Sequence, residues 1–144
     1  MKLVIQKCLN ASVSVNGKRI SKIGKGLVVL ASFTHTDTGK EVDFMVNKTV
    51  NLRIFEDENG VMNKSVKDEN GEILCISQFT LYGDASKRNR PSYIMAMKGE
   101  QSVLLYNSFC KKLGEIVPTK TGVFGADMKV ELVNDGPTTI IIEK

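Results

Sequence analysis

The chain is 144 residues long, the size of one domain with one real core, and its 20 Lys and Arg outweigh 16 Asp and Glu to give a net charge of +4. One histidine and three cysteines, with no CxxC pair, leave almost no ligand set for zinc, so neither a metal nor another cofactor is expected. No apolar run is long enough to cross a bilayer and Met1–Lys7 lacks the hydrophobic stretch of a secretory signal, so we expect a cytoplasmic protein with reduced thiols and no membrane contact.

Ala11, Val13 and Val15 alternate with Ser12, Ser14 and Asn16, the pattern of a half-buried strand, and Asn16-Gly17 then predicts a hairpin. Gly26 to Phe33 is a continuous apolar stretch, which reads as a strand covered on both faces. Thr38 and Glu41 stand at capping-box spacing. Val42, Met45, Val46 and Thr49 follow at helical intervals with Lys40, Asp43 and Lys48 outside them, so an amphipathic helix packs on the sheet. Leu52 to Phe55 resumes a strand, and turns follow at Glu56–Gly60 and Lys67–Gly71. The run Ile73–Tyr82 then predicts a core strand with Ser77 towards its end, and Ser86–Pro91 is a basic, turn-rich loop directly after it. A second helix is predicted over about residues 100–113, with Val103, Tyr106, Cys110 and Leu113 on one side and Gly114 as the stop. Met128, Val130 and Leu132 alternate again, Asn134–Pro137 breaks the chain, and Thr138–Ile142 makes a closing strand. Without a repeat or linker, residues 1–144 read as a single α+β domain: a mainly antiparallel, curved, barrel-like sheet with two flanking helices.

Two segments carry the chemistry, Ser77-Gln78-Phe79-Thr80-Leu81 and Asn134-Asp135-Gly136-Pro137-Thr138-Thr139. Each sets small hydroxyl or amide residues beside backbone where a strand ends or turns, which suits a site built from main-chain groups. Successive N–H groups at a strand end can stabilise the oxyanion of acyl transfer without a charged residue. Thr80 can serve as a nucleophile only with a base nearby, and the sequence supplies none. The same residue types also fit the plain polar face of a half-buried strand. Gly136-Pro137 is either an ordinary turn or a cis bond that sets neighbouring carbonyls side by side as a clamp near a ligand's α-carbon. His35, in Thr34-His35-Thr36-Asp37, is the only imidazole available to a catalytic triad, and a solvent-facing loop histidine is the plainer reading. Lys87, Arg88 and Arg90 form one basic patch, and Lys18, Arg19, Lys22 and Lys25 a second. Each reads either as a phosphate contact or as a solvated loop. The pI near 9.0 points to a polyanionic partner.

Across its whole length the chain resembles the D-aminoacyl-tRNA deacylases (the D-tyrosyl-tRNA deacylase family). The residues that carry the resemblance are Asn51–Asp57, Ser77–Leu81, Gly122–Met128 and Asn134–Thr139. It implies the deacylase-like fold and hydrolysis of the ester joining a D-amino acid to the 3′-terminal adenosine of tRNA. The 2′-hydroxyl of the RNA then assists in place of a side-chain base. It further implies a homodimer in which the Gly-cis-Pro of one subunit enters the site of the other, so that Gly136 and Pro137 act in trans. Phe124 and Met128 would line the pocket beside Ser77, Gln78, Phe79 and Thr80, and Lys87, Arg88 and Arg90 would meet acceptor-stem phosphates. Handedness is then judged by exclusion of the L side chain. Glycine, having no side chain to clash, escapes that exclusion, so glycyl-tRNA is also expected to be cleaved.

The chain departs from the family pattern twice. Thr138 stands where valine is usual after Gly-Pro, adding a hydroxyl that needs a partner, and Lys7 stands where arginine is expected, removing a bidentate fork from the anchoring of the Gly-Pro loop. Two other classes remain open. One is a non-catalytic RNA-binding module, although the interleaved aromatics of an RNA-recognition sheet are missing. The other is a threonine-nucleophile hydrolase of small esters or peptides.

Overall fold

Leu3 and Ile5 are buried while Lys2, Val4 and Gln6 between them are only half-buried, the period-two pattern of a strand with one face on a core. They belong to the first of eight strands in a computed structural model that describes residues 1–144. The chain runs β1 (Lys2–Val15), β2 (Lys18–Ile23), β3 (Gly26–Ser32), α1 (Gly39–Asn51), β4 (Phe55–Glu56), β5 (Met62–Lys64), β6 (Glu72–Ser77), a 3-10 turn (Phe79–Tyr82), α2 (Gly99–Gly114), β7 (Thr119–Thr121) and β8 (Lys129–Glu143).

β1 is the spine of the main sheet. Its first half pairs antiparallel with β3, its second half with β2, and β8 runs antiparallel along its other edge. Asn16 and Gly17 both have positive φ, as a tight two-residue hairpin requires, so the turn joining β1 and β2 is the one the dipeptide predicts. Beyond β3 the sheet differs from the mainly antiparallel expectation, because β3 pairs parallel with β6 and β6 parallel with β7. The physical reason is in the connections: α1 lies between β3 and β6, and α2 between β6 and β7, and parallel neighbours need such crossovers. The sheet is therefore mixed. Its outer strands β2 and β7 meet through side chains, Ser21 Oγ donating to Thr121 O (2.7 Å) and Lys120 Nζ to Lys22 O (2.6 Å), which leaves a nearly closed barrel.

β3 is covered on both faces, as its apolar run predicts. Leu27, Val29 and Ala31 join the larger core under the helices, whereas Val28 packs with Cys8, Ile23, Leu74 and Ile76 inside the barrel. Gly26 opens this strand because β6 passes so close that an added Cβ would lie 1.8 Å from Glu72 O.

The capping box of α1 forms as expected. Thr38 Oγ1 accepts from Lys40 N (3.2 Å), Glu41 Oε2 accepts from Thr38 N (2.7 Å), and Val42, Met45, Val46 and Thr49 are buried. In α2 the buried stripe is Ser102, Tyr106, Phe109 and Leu113, with Val103 and Cys110 on its flank, so the helix is rotated from the predicted face. The predicted strand Leu52–Phe55 shrinks to the two-residue β4, paired with β5 in a separate ribbon. Asn134–Pro137 does not end a strand either. β8 is continuous, and residues 135–138 bulge from it opposite Lys7, between the pairs Cys8–Asn134 and Gln6–Thr139. No helix is long and apolar enough to cross a membrane.

Candidate active site

β6 ends at Ser77, five residues earlier than the run to Tyr82 suggests. Gln78 N–H makes one more bond to Ala31 O (2.8 Å), after which β3 itself stops at Ser32. With no strand left to pair with, the chain satisfies its backbone locally: Leu81 N donates to Gln78 O (3.2 Å) and Gly83 N to Thr80 O (2.9 Å). Phe79 through Tyr82 is thus a 3-10 turn and not strand, and the opening N–H groups of such a turn have no acceptor within it. The turn also lifts Phe79 out of the core, leaving it 57% exposed.

A cleft of about 610 Å³ opens beside this turn, within the usual range for small-ligand sites. Ser32, Ile76 and Ser77 contribute from β3 and β6, Gln78 and Phe79 from the turn, and Phe124 to Met128 from the segment before β8. The structure therefore brings together five expected site residues: Ser77, Gln78, Phe79, Phe124 and Met128. Thr80 does not line the cleft. It is exposed, and its hydroxyl accepts from the Gln78 side-chain amide.

The Phe124 wall is held from behind. Tyr106 packs against Phe124 with ring centroids 5.6 Å apart and donates its hydroxyl to Cys75 O (2.8 Å), which also accepts from Gly122 N (3.2 Å). Burial drives the Tyr106 phenol far above its ordinary range, so it stays a donor. Met128 is seated by the absence of a side chain at Gly122, where an added Cβ would lie 2.5 Å from Met128 Sδ and 3.1 Å from Ile76 Cδ1.

No imidazole faces the cleft. His35 Nε2 donates to the carbonyl of Ile94 (2.7 Å) in an exposed loop, which matches the plainer reading of that residue. The one carboxylate on the cleft wall, Asp127, is exposed and paired with Lys129 at 3.0 Å. No group of three or more His, Cys, Asp and Glu side chains is arranged to hold a metal ion. What the cleft offers to a reaction is main-chain groups, hydroxyls and apolar walls.

Gly136 and Pro137 lie elsewhere on the chain. Their peptide bond is cis, both residues are exposed, and neither lines the cleft. The bulge that carries them is tied down by Asn134, whose Nδ2 donates to Lys7 O (2.9 Å) and Thr138 O (3.0 Å). It is also held by Lys7 Nζ, 3.4 Å from Asp135 and 3.7 Å from Glu56. Lysine here holds two carboxylates as a point charge where a guanidinium would fork. The hydroxyl that Thr138 adds is not left buried without a partner.

Lys87, Arg88 and Arg90 are exposed and free of ion pairs, on a loop closed by two backbone hydrogen bonds between Asp84 and Ser92 (2.8 Å each). Tyr93, just past that closure, is part of the cleft wall, which puts this loop at the cleft. In the second patch Lys18, Arg19 and Lys22 are exposed, whereas Lys25 is paired with Glu69. Cleft residues beyond the sequence reading include Phe33, Tyr93, Met97 and Ser102. Tyr93 and Met97 lie in an aperiodic loop whose sequence carries no signal, and Ser102 sits one position off the predicted helix face.

A family model described as D-Tyr-tRNA(Tyr) deacylase matches residues 4–143. A protein of Fusobacterium nucleatum subsp. nucleatum named D-aminoacyl-tRNA deacylase is 55% identical, over 99% of this chain and 95% of its own. One of the same name from Bacteroides fragilis (strain YCH46) is 53% identical, over 99% and 97%. Among solved structures, the c-Myc DNA unwinding element binding protein superposes with a TM-score of 0.95 at 47% identity, over 100% of this chain and 99% of that one. A probable eukaryotic D-amino acid tRNA deacylase shares the fold with a TM-score of 0.84 at 17% identity, over 98% and 97%. With a match that runs nearly end to end and relatives more than half identical, the chain belongs to the D-Tyr-tRNA(Tyr) deacylase family.

Proposed function

We propose that this protein is an enzyme that hydrolyses the ester of D-aminoacyl-tRNA, releasing the D-amino acid and leaving L-aminoacyl-tRNA intact. The observation that carries this reading is a cleft of ligand size built on the end of β6, with no titratable side chain placed as a base, in a chain of this family. An aminoacyl ester is already activated, so a positioned water and an oxyanion hole suffice. In this reading the main-chain N–H of Phe79 stabilises the oxyanion, Ser77 and Gln78 shape the floor, and Phe124 and Met128 hold the aminoacyl end. The terminal 2′-hydroxyl of the RNA supplies the proton transfer that no protein side chain provides, and replacing it with hydrogen abolishes turnover.

The clamp comes from a second copy. Gly136 and Pro137 are exposed on a rigidly tied bulge and absent from their own cleft, which suits insertion into the cleft of a partner protomer. There the carbonyls capture the α-ammonium and leave no volume for an L side chain. A D side chain points outward, and glycyl-tRNA, which has nothing to exclude, is also cleaved. Lys87, Arg88 and Arg90 take acceptor-stem phosphates, so affinity for tRNA falls with salt by roughly 0.7–0.9 in log–log slope per phosphate contact.

The test is a deacylation time course on D-tyrosyl-tRNA with L-tyrosyl-tRNA as control. Loss of the D ester alone supports the reading. Tight tRNA binding with no hydrolysis of either ester supports the rival, a non-catalytic nucleic-acid-binding module, which the name of the 47%-identical structural neighbour keeps in view.

A further inference from the structure

The strap between the 3-10 turn and α2, residues 83–98, carries the basic loop, and its base is bonded to the turn it follows. Gly83 N–H donates to Thr80 O (2.9 Å), and the two Asp84–Ser92 bonds then close the loop that holds Lys87, Arg88 and Arg90. Immediately after that closure Tyr93 folds back to the cleft. Its ring meets Phe79 edge-on, with centroids 5.2 Å apart and planes at 68°. Gly83 makes this approach possible, because a Cβ there would stand 2.8 Å from Tyr93 Cε1 and 2.9 Å from Thr80 O. Downstream the strap is pinned again, by the Thr34 hydroxyl on Met95 O (2.7 Å), by His35 on Ile94 O (2.7 Å) and by Met97 N on Phe33 O (2.9 Å).

Phe79 and Tyr93 are 57% and 41% exposed, so their contact adds little to the core. Its distinctive consequence is positional. A displacement of the loop closure moves the Tyr93 ring, and the ring bears on both Phe79 and the glycine bonded to Thr80 O.

Resting on the deacylase reading above, we propose that Tyr93 is a positioning residue that fixes the Phe79–Thr80 backbone and couples it mechanically to the phosphate-binding loop. RNA contact at Lys87 to Arg90 then steadies the groups that face the ester. The side chain acts through its ring, and its hydroxyl is dispensable.

The experiment compares full-length wild type, Tyr93→Ala, Tyr93→Phe and the triple variant Lys87→Ala/Arg88→Ala/Arg90→Ala on D-tyrosyl-tRNA, together with amide exchange at Leu81 and Gly83, whose N–H groups close the turn. Tyr93→Ala is expected to lower kcat roughly tenfold or more with KM little changed, since small misplacements of reacting groups cost that much. Tyr93→Phe restores kcat, and the triple variant raises KM and also lowers kcat, because the RNA contact that steadies the turn is lost. A triple variant with raised KM and unchanged kcat would overturn the coupling. Exchange at Leu81 and Gly83 quickens in Tyr93→Ala and not in Tyr93→Phe. The proposal is overturned by an unchanged kcat in Tyr93→Ala, or by equal damage in Tyr93→Phe, which would mean that the hydroxyl touches substrate. An inert wild type would refute the deacylase reading, and the exchange rates would then decide the positioning role by themselves.

Discussion

Lys7 Nζ lies 3.4 Å from Asp135 Oδ2, with the lysine side chain only 3% exposed, so a buried cation on the central strand holds the residue next to Gly136. Removing it in Lys7→Ala leaves Asp135 and Glu56 facing an apolar gap. We expect a loss of about 2 kcal/mol in urea unfolding, less than for a fully buried pair because both carboxylates keep solvent contact. Deacylation should fall further than stability, since the bulge loses its anchor. Lys7→Arg should keep both, because a guanidinium can reach the two carboxylates at once.

Gly122→Ala tests the wall of the cleft. The new methyl must displace Met128, whose thioether is flexible, so stability should drop by about 1–3 kcal/mol. The displaced thioether enters the cleft, and kcat/KM on a D-aminoacyl-tRNA should fall roughly tenfold. Full activity with a crystal structure showing Met128 unmoved would disprove the seating role of this glycine.

The thiols differ in a way that alkylation can read. Burial pushes Cys8 up to about 11, against a backbone hydrogen bond from Gly26 that lowers it, and burial raises fully enclosed Cys75 as well. Half-buried Cys110 is shifted down, first by the hydrogen bond from the Cys75 thiol. Iodoacetamide at pH 8 should therefore label Cys110 in the native protein and all three cysteines after unfolding. Cys8 also sets an alkaline limit. Its unfolded thiol ionises near 9 and its folded thiol near 11, so its contribution to stability is intact below pH 9 and declines as the pH rises towards 11. Melting curves at pH 8 and 10 should differ less in Cys8→Ala than in wild type.

Thr80→Ala separates main-chain from side-chain catalysis. Thr80 lies outside the cleft lining and its hydroxyl is bonded to the Gln78 side-chain amide and to no base, so turnover should persist with at most a modest loss. Complete loss in a normally folded variant would favour a covalent threonine route.

Local signals were legible in the sequence and long-range ones were not. Asn16-Gly17 and the Thr38–Glu41 box act within a few residues, and both form as read. The parallel pairing of β3 with β6 depends on a crossover of some forty residues, and nothing in the alternation of either strand encodes its direction. The end of β6 is hidden in the sequence for a related reason: Phe79-Thr80-Leu81 continues the β-prone composition, and the strand stops where its neighbour β3 stops at Ser32. Asn134–Pro137 looks like a terminator by residue type, yet β1 pairs on both sides of it and turns a break into a bulge. Five of the residues singled out in the sequence line one cleft, whereas Tyr93 reaches it through loop packing that leaves no periodic trace.

Handedness judged by main-chain atoms from a second copy is the central claim, and mixing two crippled variants tests it most directly. Ala126→Trp fills the cleft, and Gly136→Val distorts the bulge, because φ there is +114° and an added Cβ would lie 2.5 Å from Thr138 Oγ1. Each variant alone should fail to hydrolyse D-tyrosyl-tRNA. Co-refolded, they should regain activity, since a mixed dimer pairs one intact cleft with one intact bulge. A mixture as inactive as its components, or full D-specific activity in Gly136→Val alone, would contradict the account.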